Sequence, residues 1–274
     1  MESSSEPLAL IAGSSQMPSI VAREAQARGH RVTALAIRGI TDEAVAEVAD
    51  EIRWLEWGDV SAFMKVIGEL SSAGISQAVM AGKVEQQRIY DSGKGKGKGL
   101  RALLAALPIR HTDALIKTAA NVLASSGIEL LNCSDFLSDY LAAAGSFCER
   151  APDDRENADI DHGWEIAKAL GGLDIGQTVV VKERAVVALE AMEGTDECIR
   201  RAGELAGPGT VVVKVAKPKQ DLRFDLPVIG QGTVASMIAA GASALAIQSG
   251  STVIFDGERI RADADAAHIA IVAR

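Results

Sequence analysis

Residues 217–227 read Lys-Pro-Lys-Gln-Asp-Leu-Arg-Phe-Asp-Leu-Pro and crowd ionisable side chains into a segment with the apolar content of a buried strand. In an extended chain Asp221, Arg223 and Asp225 share one face, while Leu222, Phe224 and Leu226 share the other. A solvated edge strand with alternating charge has the same pattern. The setting favours chemistry. An apolar strand over 211–215 and the turn Lys217-Pro218-Lys219 come first, so cations and carboxylates converge where a strand ends, a usual place for phosphate chemistry in α/β proteins.

A second acidic group, Glu190-Ala191-Met192-Glu193-Gly194-Thr195-Asp196, lies between a strand and a helix. Local pattern alone reads it as a helix start with Thr195 as N-cap and Asp196 and Glu197 in the first turn. Near the beginning of the chain, Gly13-Ser14-Ser15-Gln16-Met17-Pro18 occupies a strand-to-helix turn, where backbone N–H groups favour an anion. Ser14 or Ser15 is the expected cap of that helix, and Pro18 suits its first turn. It is not a dinucleotide fingerprint: Ser15 and Pro18 stand where glycines are needed, and the second strand ends in Arg38 rather than a carboxylate. Ala81-Gly82-Lys83 follows another strand on the same sheet edge. The strictly alternating run from Gly93 to Gly99 follows no strand and puts a lysine where a phosphate loop needs glycine, so a flexible loop is expected, with a basic flap over anionic headgroups as its remaining role.

Residues 220–227 together with residues 190–196 resemble the signature of the LpxI-type UDP-2,3-diacylglucosamine pyrophosphatases of lipid A biosynthesis, and the likeness runs from the Ile11-Ala12-Gly13 turn to the end of the chain. The resemblance implies a hydrolase that uses magnesium (Mg2+) or another divalent cation. It would split UDP-2,3-diacylglucosamine into UMP and 2,3-diacylglucosamine 1-phosphate, lipid X. It assigns Gly13, Ser14, Gln16, Gly82 and Lys83 to UDP, with Asp113 beside them, and gives Glu193, Thr195 and Asp196 a substrate-binding role. The sequence departs from the family at Ser15, commonly glycine, at His111-Thr112, where consecutive acids are usual, and at the Gly/Lys run.

Hydrolysis of a pyrophosphate needs a positioned water and neutralisation of the phosphoryl oxygens. Asp225 is the first choice for the catalytic carboxylate, as a general base or as a ligand of the metal. Asp221 would share that metal, and Arg223 would hold either acid or grip phosphate. Lys214, Lys217 and Lys219 are the cations nearest the acidic segment. The alternative is a non-catalytic protein that binds a nucleotide-sugar or a lipid phosphate.

The elements that must position these residues alternate. A strand over 8–12, a helix to about 28, strands near 32–37 and 52–55, a helix over 60–72 and a strand over 77–80 argue for a parallel sheet covered by helices; a helix near 112–125 and a strand over 128–131 follow. This gives a Rossmann-like UDP-binding domain over 1–133 and a polar, turn-rich linker over 134–158. A second α/β domain over 159–274 carries the lipid phosphate and the catalysis, with a ligand cleft between the two. Its expected elements are a helix over 160–170, paired strands over 178–182 and 185–189, a helix over 195–206, the strand over 211–215, a helix over 233–240, strands over 244–247 and 252–255, and a closing helix from Ala264. The apolar faces of 160–170 and 234–247 are core first and candidate walls for acyl chains second.

The 274 residues, 48% hydrophobic and 24% charged with only 4% aromatics, suit a soluble α/β protein. A net charge of −9 with the 28 Lys and Arg scattered leaves no basic face for nucleic acid. Met1-Glu2-Ser3 carries an acid where a signal peptide needs cations, so a cytoplasmic place is expected, with peripheral contact with the inner membrane and allowance for a homodimer. Cys133, Cys148 and Cys198 are expected to be reduced structural thiols. No run reaches the roughly 18–20 apolar residues of a spanning helix.

Overall fold

The computed structural model describes residues 6–84, 99–100, 112–218, 221, 223 and 225–274, with only the backbone of Thr112 and Asp113. They form two compact units, the first holding the residues up to Leu137 together with Arg223 and the second holding Ser138–Asp221 and Asp225–Arg274.

In the first unit, β1 (Glu6–Ala12), α1 (Met17–Ala27), β2 (His30–Ile37), α2 (Val45–Val48), β3 (Glu51–Leu55), α3 (Val60–Ser72), β4 (Gln77–Ala81), α4 (Thr112–Ser125) and β5 (Glu129–Leu130) follow one another. The strands pair in parallel in the order β3-β2-β1-β4-β5. The parallel sheet expected from the alternation is therefore present. Burial on both faces explains why β1, β2 and β4 read as nearly continuous apolar runs. Ile67 and Leu70 of α3 and Leu123 of α4 pack with Ala9, Leu35 and Ala78 in one core cluster. The order reverses between β1 and β4, which makes their C-terminal ends the switch point of the sheet.

The second unit is built on β6 (Gly145–Ser146), α5 (Asp154–Gly172), β7 (Thr178–Lys182), β8 (Ala185–Leu189), α6 (Thr195–Ala206), β9 (Val211–Lys214), β10 (Val228–Ile229), α7 (Gln231–Ala240), β11 (Ala244–Ile247), β12 (Val253–Ile254), α8 (Gly257–Ala266) and β13 (Ala270–Ala273). Its main sheet has the order β6-β13-β11-β9-β7-β8, with β9, β11 and β13 parallel and β7 antiparallel to both its neighbours. A small parallel pair, β10-β12, stands apart. Ile160, Ala167 and Leu170 of α5 cover one face, against Val179, Val181, Val211 and Val213. Cys198 and Ile199 of α6, Val234 and Met237 of α7 and Ile260 of α8 cover the other, against Val180, Val212 and Leu245. The apolar stretches considered as acyl walls are thus core.

Residues 264–266 end α8 instead of opening a closing helix, and the chain closes on β13, whose Ala-Ile-Val-Ala run pairs with β11 and is largely buried. The helix expected at 160 starts earlier because Asp153 and Glu156 form a capping box, the Asp153 side chain accepting from the Glu156 N–H and the Glu156 side chain from the Asp153 N–H. Within 134–158 lie a 3-10 segment, Cys133–Tyr140, and β6, which pairs with β13. All three cysteines are free and buried, and burial pushes the thiols of Cys133, Cys148 and Cys198 up to about 12, 11 and 12. Among the described residues, no helix is long and apolar enough to cross a membrane.

Candidate active site

In the second unit the expected site residues gather around the C-terminal end of β9. Lys214 is buried there, and its ammonium donates to Thr195 Oγ1 at 3.0 Å and to the Val228 carbonyl at 2.8 Å. The Thr195 hydroxyl donates in turn to Glu190 Oε1 at 3.0 Å, while Glu190 Oε2 accepts the Gln177 N–H at 3.2 Å. A buried cation and a buried carboxylate are therefore linked through one hydroxyl, which is how such charges stay tolerable out of water. Thr195 is not the N-cap. That position falls to Gly194, whose φ of 85° no threonine adopts easily, and α6 has no side-chain cap, so the Thr195 hydroxyl serves the buried network.

Glu193 and Asp196 make other bonds within the unit. Glu193 accepts from the Ala191 N–H at 3.1 Å and from Arg201 at 2.6 Å. Burial alone would raise its carboxyl, but the Glu193 N–H, the Arg201 guanidinium and the Ala191 N–H hold it below the usual carboxylate range. Asp196 Oδ1 accepts the Thr233 hydroxyl at 3.0 Å, tying the first turns of α6 and α7 together.

The acidic segment is not an extended strand. The Asp225 N–H donates to the Asp221 carbonyl at 2.9 Å, an i to i+4 closure that folds the two acids back along one turn. The alternation of Asp221, Arg223 and Asp225 on one face is thus overturned. Proline at 218 and 227 at either side of the segment removes two ladder donors, which disfavours a strand in spite of its apolar residues. Among the described residues Lys217 meets one of these acids: its ammonium lies 2.7 Å from Asp174 Oδ1 and 3.8 Å from Asp225 Oδ2, with side-chain exposures of 16% for Lys217 and 27% for Asp225. Both are sunk in the surface yet reachable by a ligand. Arg223 is a half-buried turn residue, and Lys219 lies outside the described residues.

No three carboxylate, histidine or cysteine side chains form a metal-binding group among the described residues. Magnesium does not require one. It commonly takes one or two protein carboxylates together with substrate phosphates and water.

In the first unit, Gly13, Ser14, Gly82 and Lys83 come together at the switch point. The Ser14 N–H donates to the Lys83 carbonyl at 2.8 Å, the Lys83 N–H to the Ser14 carbonyl at 3.3 Å, and the Ser14 hydroxyl to the Lys83 carbonyl at 2.8 Å. The two loops are stitched to each other. A Cβ on Gly13 would lie 2.8 Å from the Lys83 carbonyl oxygen, and one on Gly82, whose φ is +89°, would lie 2.5 Å from that of Ser14, so these glycines serve the approach of loop to loop. Gln16 occupies the N-cap of α1 without a capping side chain, and Ser15 Oγ accepts the Met17 N–H at 3.3 Å. The Lys83 side chain is exposed. The side chain of Asp113 and residues 93–98 of the Gly/Lys run lie outside the described residues.

Sequence reasoning missed Asp174, the partner of Lys217, and Lys168 and Gln248, which hold the residue before it. Lys168 carried a signal: with Ile160, Trp164 and Gly171 at helical spacing it falls at the half-buried edge of the packed face of α5, where a lysine is unusual.

Two family profiles cover the chain, one described as the LpxI N-terminal domain over residues 7–140 and one as the LpxI C-terminal domain over residues 143–272. A curated relative from Caulobacter vibrioides, UDP-2,3-diacylglucosamine pyrophosphatase LpxI, is 29% identical in an alignment of 268 positions that covers 94% of this chain and 94% of that protein. Among solved structures, the biotin carboxylase subunit of pyruvate carboxylase aligns at 13% identity over 73% of this chain and 42% of the other with a TM-score of 0.26, too low to carry an argument.

Proposed function

The chain belongs to the LpxI family, and on that footing we propose that it hydrolyses the pyrophosphate of UDP-2,3-diacylglucosamine to UMP and 2,3-diacylglucosamine 1-phosphate (lipid X) in lipid A biosynthesis. The observation that carries this is the likeness to a pyrophosphatase of that name over 94% of both chains.

The chemistry falls to the segment after β9. Asp225 takes a proton from the attacking water as the water oxygen bonds to phosphorus and the bridging P–O bond breaks. Lys217, between Asp174 and Asp225, offsets charge on the phosphoryl oxygens, and we assign Arg223 the role of a second phosphate donor. Asp221 and Asp225 would hold magnesium, which supplies further neutralisation of the pyrophosphate when bound. The Glu190–Thr195–Lys214 network fixes the end of β9 from which this segment departs. We assign the nucleotide to Gly13, Ser14, Gln16, Gly82 and Lys83, where the positive end of α1 and an exposed ammonium suit a diphosphate. A substrate with two acyl chains resides in a bilayer, so the protein meets the inner membrane peripherally.

Purified protein incubated with UDP-2,3-diacylglucosamine tests this by mass spectrometry. UMP and lipid X should appear in equal amounts. Retention of intact substrate without UMP would make the chain a binding protein instead.

A further inference from the structure

Ala216 is the last residue before Lys217, and side chains from two other elements hold both of its backbone polar groups. Its carbonyl accepts Lys168 Nζ of α5 at 3.2 Å, and its N–H donates to Gln248 Oε1 at 3.1 Å. Lys168 Nζ also donates to Gln248 Oε1, so the three groups close a ring. Gln248 Nε2 lies 3.4 Å from Ser251 Oγ, which turns the amide oxygen toward the ring. Burial lowers the Lys168 pKa, and Ala216 is only 7% exposed. On the α5 side, a Cβ at Gly171 would lie 3.3 Å from Lys217 Cα, so the helix runs close against the start of the segment.

The connection between β11 and β12 also holds the far end of the same segment. Its residue Gln248 grips Ala216, and Val253, just after it, donates its N–H to the Pro227 carbonyl at 2.8 Å. The Thr252 N–H closes this connection on the Gln248 carbonyl at 3.1 Å. One short turn therefore anchors the entry and the exit of the loop that carries Lys217, Asp221, Arg223 and Asp225.

We propose that Lys168 and Gln248 are positioning residues of the hydrolase, a side-chain clamp that sets the departure of the catalytic segment at Ala216 and thereby the placing of Lys217 against Asp225. The assignment of catalysis to that segment is the one made above. Removing the clamp misplaces reacting groups without removing any of them, so it acts on turnover more than on substrate affinity.

The test compares wild type with Gln248→Leu, Lys168→Met and the conservative Lys168→Arg. Gln248→Leu and Lys168→Met should lower kcat for UMP release by about tenfold or more while KM stays within about threefold, and Lys168→Arg should recover much of the loss. Deuterium uptake at backbone amides of 216–227 should rise in the two disruptive variants and stay near wild type in Lys168→Arg. Unchanged uptake there, or a lowered melting temperature with unchanged kcat, would overturn the clamp. Wild-type protein that releases no UMP would count against the hydrolase alone, because the exchange measurement still decides whether Lys168 and Gln248 hold the segment.

Discussion

At Lys83 the backbone and the side chain have separate work. The backbone is bonded in both directions to Ser14, while the side chain is exposed beside the start of α1. Lys83→Ala should therefore leave the loops stitched and raise KM for UDP-2,3-diacylglucosamine several-fold, with kcat changed little; a collapsed kcat at unchanged KM in steady-state kinetics would move Lys83 into the chemistry. Gly82→Ala should do the opposite, since its Cβ meets the Ser14 carbonyl at 2.5 Å with φ at +89°. A loss of at least about 1–3 kcal/mol in chemical denaturation is expected. Residue types were legible in the sequence where chemistry is concentrated: Lys217 was one of three cations placed nearest the acidic segment, although the holding of an acid was expected of Arg223. Asp174 was not, because a partner 43 residues away in the chain leaves no local pattern.

The β7–β8 hairpin shows how an element can depend on a helix. Its two turn residues, Glu183 and Arg184, have φ of 52° and 60°, values that the turn requires and that asparagine and glycine adopt more readily. Asp159 of α5 compensates: its carboxylate accepts the Glu183 N–H at 3.0 Å and the Arg184 N–H at 2.6 Å. Asp159→Ala should cost about 1–3 kcal/mol in urea unfolding, because two hydrogen bonds to a buried charge are lost. Replacing the turn by Asn-Gly in the same background should restore part of that, and a neutral Asp159→Ala would contradict the account. Elements set by local pattern were readable, among them α3, which Asp59 caps, the hairpin strands, and α6, whose apolar period agrees with its packing although its expected cap at Thr195 did not form. The segment after Lys217 was not, because alternating charge suits an extended chain as well as a turn, and the choice was made by the Asp221–Asp225 closure and by the anchors at Ala216 and Pro227. β13 was hidden for a related reason: four apolar residues at a chain end become a strand only when β11 is there to pair with them.

Each unit has its own sheet and core, and the second is pinned by Arg150. Its guanidinium makes a two-pronged pair with Glu156 at 2.7 and 2.9 Å and donates to the carbonyls of Ser243 and His268. Burial works against the Glu156 charge, but Arg150 and the cap N–H hold its carboxyl below the ordinary 4.5. A carboxyl depressed in the folded state stabilises above its unfolded value and loses that contribution as the pH falls through the folded value, so melting temperature should drop on acidification below about pH 4.5. Glu156→Gln should be less stable at neutral pH and show a flatter acid limb; parallel curves would contradict this. At the scale of the whole chain, the alternating elements made the two α/β halves legible. The central claim is that the acidic segment of the second half hydrolyses a pyrophosphate, and Asp225→Ala tests it most directly. UMP release from UDP-2,3-diacylglucosamine should fall by about two orders of magnitude or more, with intact substrate still bound and the circular dichroism spectrum unchanged. Turnover near that of the wild type would contradict the account.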